Sequence, residues 1–304
     1  MRWGVAGYGD IVARRVLPAL RALGEEPVFL WGRDAARAAR AAREWGVTAG
    51  GSDPRRLMAG TDAVYVATPV VHHVPFAERA VAAGLPVLIE KPLAGALGAS
   101  AALADGWAGA GVAYYRRLSP VVADLRRRLE GWRPERVDVR FRCAFEPGPD
   151  HPMRWRTDPA VAGGGVLADA GSHRIDLLLM LFGRPAEMRA RLGRPFPAGA
   201  ERVADLALEW PGLSARCVFE WGEAAPVDRM ALHGGGRSLV LDPLDVYAPD
   251  ANPHLPLVAD FVAAVAAGRP PVCPVADAAL VDDVIVAAGR SHALGGTPVR
   301  PWPR

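Results

Sequence analysis

Through about residue 118, short apolar runs rich in β-branched and aromatic residues alternate with alanine-rich stretches whose apolar positions recur at helical spacing. The pattern predicts strands over 3–6, 28–31, 63–68, 86–90 and 112–115, and helices over 11–23, 34–45, 70–83 and 95–109. Such alternation implies right-handed βαβ crossovers, hence a parallel sheet covered on both faces. The expected fold class is α/β, beginning with a doubly wound parallel sheet. Beyond residue 118 the period changes. Longer alternating segments, such as those carrying Val137, Val139 and Phe141 or Val203, Leu206 and Leu208, are separated by turn signals and predict an open antiparallel or mixed sheet. Helices are expected at 165–182, closed by Gly183, and at about 256–267 and 275–290. The expected division is a dinucleotide-binding domain over 1–118 and an α+β domain over 119–304. Surface loops are expected around 147–152, 195–199 and 249–256.

A chain of 304 residues, 51% hydrophobic and 23% charged, has enough apolar surface for two cores. The longest greasy run in a helical segment, Ile175 to Phe182, falls far short of a bilayer span, so no membrane insertion is expected. No apolar segment behind a basic leader precedes Trp3, so no signal peptide is expected. Cys143, Cys217 and Cys273 are widely spaced and lack a CxxC pair; no metal site is expected, and the cysteines suit a reducing cytoplasm. The net charge is only +3 and the arginines are scattered, with the triple Arg126-Arg127-Arg128 reading as a solvated helix face. Nucleic-acid binding is not expected.

One compositional fact changes the picture. Lys91 is the single lysine among 36 basic residues. Arginine replaces lysine well at an exposed surface, but its planar, always charged guanidinium cannot mimic a compact ammonium. The one position that kept lysine is a candidate for chemistry.

The stretch from Gly4 to Ala13 leaves a predicted strand, turns on glycines and enters a predicted helix. Gly7 permits the tight turn, Gly9 lets a pyrophosphate approach the backbone, and the helix start offers N–H groups and a positive dipole end. Val12 stands where this fingerprint usually has Gly or Ala. At the end of the second strand, where an NAD site places an acid for the ribose hydroxyls, the chain has Trp31-Gly32-Arg33-Asp34. Arg33 reads either as a clamp for a 2′-phosphate, which favours NADP over NAD, or as a solvated neighbour of an Asp34 helix cap.

Further motifs follow in order. Asp62-Ala63-Val64-Tyr65-Val66-Ala67-Thr68-Pro69 is followed by His73, then by Ala83-Gly84-Leu85-Pro86-Val87-Leu88-Ile89-Glu90-Lys91-Pro92. Trp155-Arg156, Gly163-Gly164-Gly165 and Asp169-Ala170-Gly171-Ser172-His173-Arg174-Ile175-Asp176 complete the set. Together, over roughly residues 2–183, they closely resemble the Gfo/Idh/MocA oxidoreductase family. The resemblance implies a Rossmann domain joined to an open mixed-sheet domain, with substrate in the cleft and NAD or NADP reaching in from the first. It makes Lys91, Asp169 and His173 the catalytic residues. It extends the cofactor contacts from Gly7, Tyr8, Gly9, Asp10, Ile11 and Arg33 to Thr68, Pro69, His73, Glu90 and Lys91, with His73 shaping the nicotinamide pocket. It also implies homo-oligomers built through the second-domain sheet. The sequence departs from the family pattern at Val12 and at Val70, where Asn often follows the Thr-Pro pair.

The residue types agree with that chemistry. Asp169 and His173 are spaced to share one helix face, with Asp176 a turn further on. Hydride transfer to a carbonyl needs a proton donor and its reverse needs a base; histidine serves both. A nearby lysine stabilises the oxyanion, and Asp169 holds a substrate hydroxyl or orients the histidine. As residue types alone, the pair also fits an acid near a helix start and a buried, satisfied histidine. Tyr115, Arg116 and Arg117 end the last predicted parallel strand, with Arg117 the candidate substrate contact and the other arginine solvated. Trp155 and Arg156 are candidate substrate-lining residues. The expectation is an NAD(P)-dependent dehydrogenase or reductase acting on a hydroxyl/carbonyl pair of a sugar, inositol or related polyol. The competing readings are a cofactor-binding sensor without turnover and a protein scaffold.

Overall fold

The computed structural model describes residues 1–98, 109–244 and 251–302. The chain divides into two compact units. Among the described residues the first comprises 1–93, 109–118 and 251–278, and the second 94–98, 119–244 and 279–302.

The first unit is built on a six-stranded parallel sheet: β1 (Arg2–Ala6), β2 (Glu26–Trp31), β3 (Ala49–Gly51), β4 (Ala63–Val66), β5 (Val87–Ile89) and β6 (Ala110–Val112), in the order β3-β2-β1-β4-β5-β6. The central strands are buried throughout, as a sheet covered on both faces requires. The order reverses between β1 and β4, which makes the carboxyl ends of those strands the place where a ligand gathers. After the glycine turn, a π-helical turn at Val12–Val16 leads into α1 (Leu17–Ala22). Asp34 caps α2 (Ala35–Glu44) by accepting the Arg37 N–H at 3.0 Å, and Asp53 caps the short α3 (Pro54–Met58). α4 (His73–Ala82) follows β4.

Two expectations need correction, and a third falls mostly outside the described residues. β3 and α3 carried no predicted element: β3 reads Ala-Gly-Gly, with no apolar run, and α3 spans a single turn and a half. The strand expected at 112–115 ends at Val112, and Tyr115–Leu118 forms a 3₁₀ turn instead. Of the helix expected at 95–109, only a 3₁₀ turn at Gly95–Leu97 is described; residues 99–108 lie outside the described residues.

The helix α8 (His254–Ala267) belongs to the first unit, although the sequence pattern assigned it to the second. Its buried stripe of Leu257, Val258 and Phe261 enters the core formed by Trp3, Val16, Leu20 and Leu88, with the Phe261 and Trp3 rings 5.7 Å apart. Downstream, the Cys273 carbonyl accepts the Val112 N–H at 2.9 Å. Periodicity identifies the apolar face of such a helix, not the core that receives it.

The second unit has its own six-stranded mixed sheet: β7 (Arg136–Cys143), β8 (Glu187–Gly193), β9 (Val203–Trp210), β10 (Leu213–Trp221), β11 (Val227–Gly234) and β12 (Arg237–Leu241), ordered β12-β11-β7-β10-β9-β8. Only β7 and β10 pair in parallel; the other neighbours are antiparallel. Helices α5 (Pro120–Leu129) and α6 (Pro159–Ala162) precede a π-helical turn at Leu167–Gly171 that runs into α7 (Ser172–Phe182). The helix comes so close to the sheet that a β-carbon on Gly171 would sit 2.8 Å from the Phe219 ring. The alternate positions of β7 and β10 are polar and more exposed, among them Arg140, Arg142, Arg216 and Glu220. The last helix, α9 (Val275–Ala293), lies mostly in this unit. Among the described residues no helix is long and apolar enough to cross a membrane.

Candidate active site

In the first unit the cofactor-type residues gather at the carboxyl ends of β1, β2, β4 and β5. Gly7 has φ +116°, and a β-carbon there would lie 2.4 Å from the Ala67 carbonyl oxygen, so only glycine fits between the ends of β1 and β4. Its N–H donates to the Trp31 carbonyl at 2.8 Å. A β-carbon on Gly9 would meet nothing within 4 Å, which leaves open space over the turn. The Gly9 carbonyl starts the helix by accepting the N–H groups of Val12 and Ala13, and Asp10 pairs with Arg14 at 2.8 Å on the exposed side. Ile11 packs against the core of this unit.

Tyr8 lies across Gly32: a β-carbon there would overlap the tyrosine ring. The Arg37 guanidinium sits 5.8 Å from the centre of that ring. Arg33 is exposed, and Asp34, the one acid of the motif, uses its Oδ1 on the helix cap. At this corner Asp34 is therefore a helix cap, and Arg33 is exposed beside it. The local field is positive. His72 is lowered by burial and by the charges of Arg33 and Arg79.

At the end of β4, Thr68 is buried and its Oγ1 has no hydrogen-bond partner among the described residues. Pro69 begins the 3₁₀ turn that leads to α4. His73 is buried, with Nδ1 2.8 Å from the Pro92 carbonyl oxygen and Nε2 2.8 Å from that of Thr68. Burial lowers its pKa against the pull of those two carbonyls and of Glu90. The ring thus ties the end of β4 to the chain beside Lys91.

Glu90 and Lys91 follow β5. Glu90 is buried; its Oε1 accepts the Tyr65 hydroxyl at 2.8 Å and lies 3.1 Å from His254 Nε2. An expected cofactor contact is thus a carboxylate engaged inside the protein. Arg117, expected to meet substrate, has its buried Nη1 engaged within the first unit, donating to Asp277 Oδ2 at 2.8 Å and to the Val272 carbonyl at 3.1 Å. That pair pins residues 272–277 onto the first unit. Arg116, read as solvated, is buried.

In the second unit, Asp169 sits in the π-helical turn and His173 in the first turn of α7. A π turn is a common device for re-aiming side chains at functional sites. Asp169 Oδ2 accepts Arg156 Nη1 at 3.1 Å, and the Arg156 guanidinium lies 5.6 Å from the centre of the Trp155 ring. The structure therefore joins Trp155, Arg156 and Asp169. His173 and Asp176 are buried. Burial, and then the Asp169 charge, push the half-buried Cys143 thiol up. Glu201, which no sequence signal marked, clamps the glycine-rich turn before Asp169 by accepting the N–H groups of Gly165 at 2.8 Å and Leu167 at 3.0 Å. Tyr65 and His254 were equally invisible, being 25 and 164 residues from Glu90.

The chain matches two family models: the Oxidoreductase family, NAD-binding Rossmann fold, over residues 1–115, and the GFO/IDH/MocA C-terminal domain over residues 133–240. It is 33% identical over 274 residues to dTDP-3,4-didehydro-2,6-dideoxy-alpha-D-glucose 3-reductase of Streptomyces violaceoruber, covering 85% of this chain and 76% of the relative. It is 30% identical over 223 residues to D-xylose 1-dehydrogenase (NADP(+)) 2 of Haloferax volcanii, covering 71% of this chain and 68% of the relative. Among solved structures, levoglucosan dehydrogenase in complex with NADH superposes with a TM-score of 0.89 at 20% identity, over 100% of both chains. An oxidoreductase domain protein from Kribbella flavida does so with a TM-score of 0.85 at 24% identity, over 99% of both chains.

Proposed function

The chain belongs to the Gfo/Idh/MocA oxidoreductase family, and on that premise we propose that it interconverts a secondary alcohol and a ketone on a sugar, using NADP in preference to NAD. It is an NAD(P)-dependent oxidoreductase acting on CH–OH groups; its relatives are named as sugar reductases and dehydrogenases. The observation that carries the reading is that one sheet edge holds the Gly7 turn, the unpartnered Thr68 hydroxyl and the only lysine of the chain.

These residues fit a dinucleotide. Gly7 to Ile11 would cradle the pyrophosphate with backbone N–H groups, and Thr68, Pro69, His73 and Glu90 would frame the nicotinamide end, His73 and Glu90 from behind. Arg33, assisted by Arg37, would hold a 2′-phosphate, with Asp34 already spent on its helix cap. When bound, the cofactor supplies or accepts the hydride.

In the reductive direction His173 donates a proton to the carbonyl oxygen, and in the oxidative direction it removes the hydroxyl proton. The Lys91 ammonium stabilises the alkoxide that forms between those states. Asp169, fixed by Arg156, accepts a substrate hydroxyl; the face of Trp155 lies beside it. The first substrates to examine are nucleoside-diphosphate-linked keto sugars, because the dTDP-sugar 3-reductase relative spans 85% of the chain, and then free aldoses and polyols. We place homo-oligomer formation on the polar face of the β7–β10 sheet. The cytoplasm suits three cysteines that form no disulfide.

The test is fluorescence titration with NADPH and NADH, followed by turnover assays on those substrates with Lys91→Ala, Lys91→Arg and His173→Ala. Each variant should bind cofactor normally and lose roughly 100-fold or more in kcat. Full turnover in any of them removes the role given to that residue. Cofactor binding without turnover on any substrate would favour the sensor reading.

A further inference from the structure

The side chain that neighbours Lys91 in sequence is a buried carboxylate, and burying one is costly unless it is paired and hydrogen-bonded. Two groups converge on a single oxygen of Glu90: the Tyr65 hydroxyl from β4 at 2.8 Å and His254 Nε2 from α8 at 3.1 Å. Two donors on one oxygen suit the ionised form. The balancing charge has three possible sources among the groups that face it: His254, His73 on α4, and Lys91.

His254 is a poor source. Its Nδ1 is buried without a hydrogen-bond partner among the described residues, and its ring packs 5.3 Å from that of Tyr115. A proton on Nδ1 would be a buried donor with nothing to receive it. The geometry fits a neutral ring whose one proton lies on Nε2 and points at Glu90. His73 has both ring nitrogens on backbone carbonyls, 2.8 Å from those of Pro92 and Thr68, and so turns neither toward Glu90. Lys91 is the cation next to it in the chain.

The start of α8 is also tied to the helix that follows the glycine turn. The Asn252 amide donates to the Arg15 carbonyl at 2.7 Å, its Oδ1 accepts the His254 N–H at 3.0 Å, and Arg15 Nη1 reaches the Ala251 carbonyl at 3.4 Å. One continuous set of hydrogen bonds thus runs from the dinucleotide-type helix through Asn252 and His254 to Glu90. Residue 254 lies outside both segments matched by the family models.

The geometry points to Glu90 as a positioning residue for Lys91, a buried carboxylate kept charged by Tyr65 and by His254 so that the adjacent ammonium stays fixed and charged for alkoxide stabilisation. The assignment rests on the reading of Lys91 given above and adds His254 and Tyr65 to the machinery behind it. Burial pushes the Glu90 carboxyl up, but the hydrogen bonds from His254 and the Tyr65 hydroxyl, with the charge of Lys91, outweigh it and leave the group below its ordinary range. Removing either donor therefore moves Glu90 upward. As pH falls through the raised value the carboxylate is protonated and its hold on Lys91 is lost.

The single lysine makes this measurable without cofactor or substrate. In tag-free protein labelled with [¹³Cε]lysine, Lys91 gives one resonance, and its acid-side inflection reports the ionisation of Glu90. The inflection should vanish in Glu90→Gln. In His254→Leu and Tyr65→Phe it should move to higher pH by about one unit, a tenfold change in the ionisation constant. In His254→Gln, whose amide still donates, it should return toward the wild-type position. Where turnover is measurable, the acid limb of kcat should shift in the same order, with NADPH affinity within about twofold of wild type.

An inflection absent from the wild type, or unmoved in both His254→Leu and Tyr65→Phe, overturns the assignment. If His254→Leu does not fold, Tyr65→Phe and His254→Gln decide it. A protein that shows the predicted inflections but reduces no sugar would refute the sugar reading and leave the Glu90 assignment standing.

Discussion

Replacing Asp282 by Asn should destabilise the protein more than its distance in sequence from any motif suggests. Asp282 projects from α9 and is buried; its Oδ2 accepts the Ala94 N–H at 2.8 Å and its Oδ1 accepts the Gly95 N–H at 2.9 Å. Both donor residues are themselves buried and begin three positions after Lys91. The segment is further held where the Ala96 N–H meets the Gly163 carbonyl at 2.7 Å. A β-carbon on Gly95 would come within 2.3 Å of that carbonyl oxygen. Asparagine keeps one acceptor and sets an amide NH₂ against the other backbone N–H. The loss is one hydrogen bond to a charged group, about 2–3 kcal/mol, and Asp282→Ala, which strands both N–H groups, should cost about 3–5 kcal/mol. By the usual scaling for domains of this size the Asn variant should melt roughly 5–10 °C lower. Scanning calorimetry on both variants, with kcat measured well below the transition, tests this. A melting temperature within about 1 °C of wild type for Asp282→Asn, or an Ala variant no worse than the Asn variant, would refute the reasoning.

Other perturbations separate the remaining roles. Arg33→Ala should weaken NADPH by about tenfold while leaving NADH nearly unchanged, read by fluorescence titration; equal losses for both would remove the 2′-phosphate assignment. Gly7→Ala forces a β-carbon against the Ala67 carbonyl at an unfavourable φ, so it should abolish binding of both nucleotides and cost about 1–3 kcal/mol of stability. Burial pushes the Cys217 thiol up, and burial with the Asp169 charge does the same to Cys143. Iodoacetamide at pH 8 should label native Cys143 slowly and Cys217 not at all, with Cys143 labelling rising as pH rises; fast modification of Cys217 would contradict its buried setting.

The sequence made visible what depends on period and on local turn chemistry. The apolar runs that predicted β1, β2, β4 and β5 come from side chains buried on both faces of the sheet, and the Gly7 turn announces itself because one backbone conformation excludes every other residue. β3, of three residues with the sequence Ala-Gly-Gly, has no side-chain pattern to read. The setting of Arg117 was illegible for a different reason. The end of a parallel strand is where ligands gather, but whether an arginine there faces solvent or a partner depended on Asp277, which lies 160 residues away. The same holds for His254 beneath Glu90 and Glu201 beneath Gly165: each polar partner is distant in the chain and carries no local signal. The Asp169–His173 spacing was legible, whereas the π turn that carries Asp169 was not, because an i+4 pattern is common to both helix types.

The scarcity of lysine gains meaning from the arginines that are buried. Arg174 is almost fully buried, with its Nε and Nη2 on Asp228, its Nη1 on the Ala170 carbonyl at 2.7 Å, and its plane 4.1 Å from the centre of the Phe141 ring. A planar fork meets all of these at once; an ammonium on a flexible stem does not. Arg117 divides its donors between a carboxylate and a carbonyl in the same way. Arginine therefore serves this chain in its interior as well as on its surface, and a general preference for it explains every such site. It does not explain position 91. There the neighbouring carboxylate already has its hydrogen bonds from Tyr65 and His254, so a second fork of donors adds nothing to Glu90, while a developing alkoxide is a single oxygen that a compact charge can approach. The residue kept against the compositional trend is the one whose proposed task a guanidinium cannot perform.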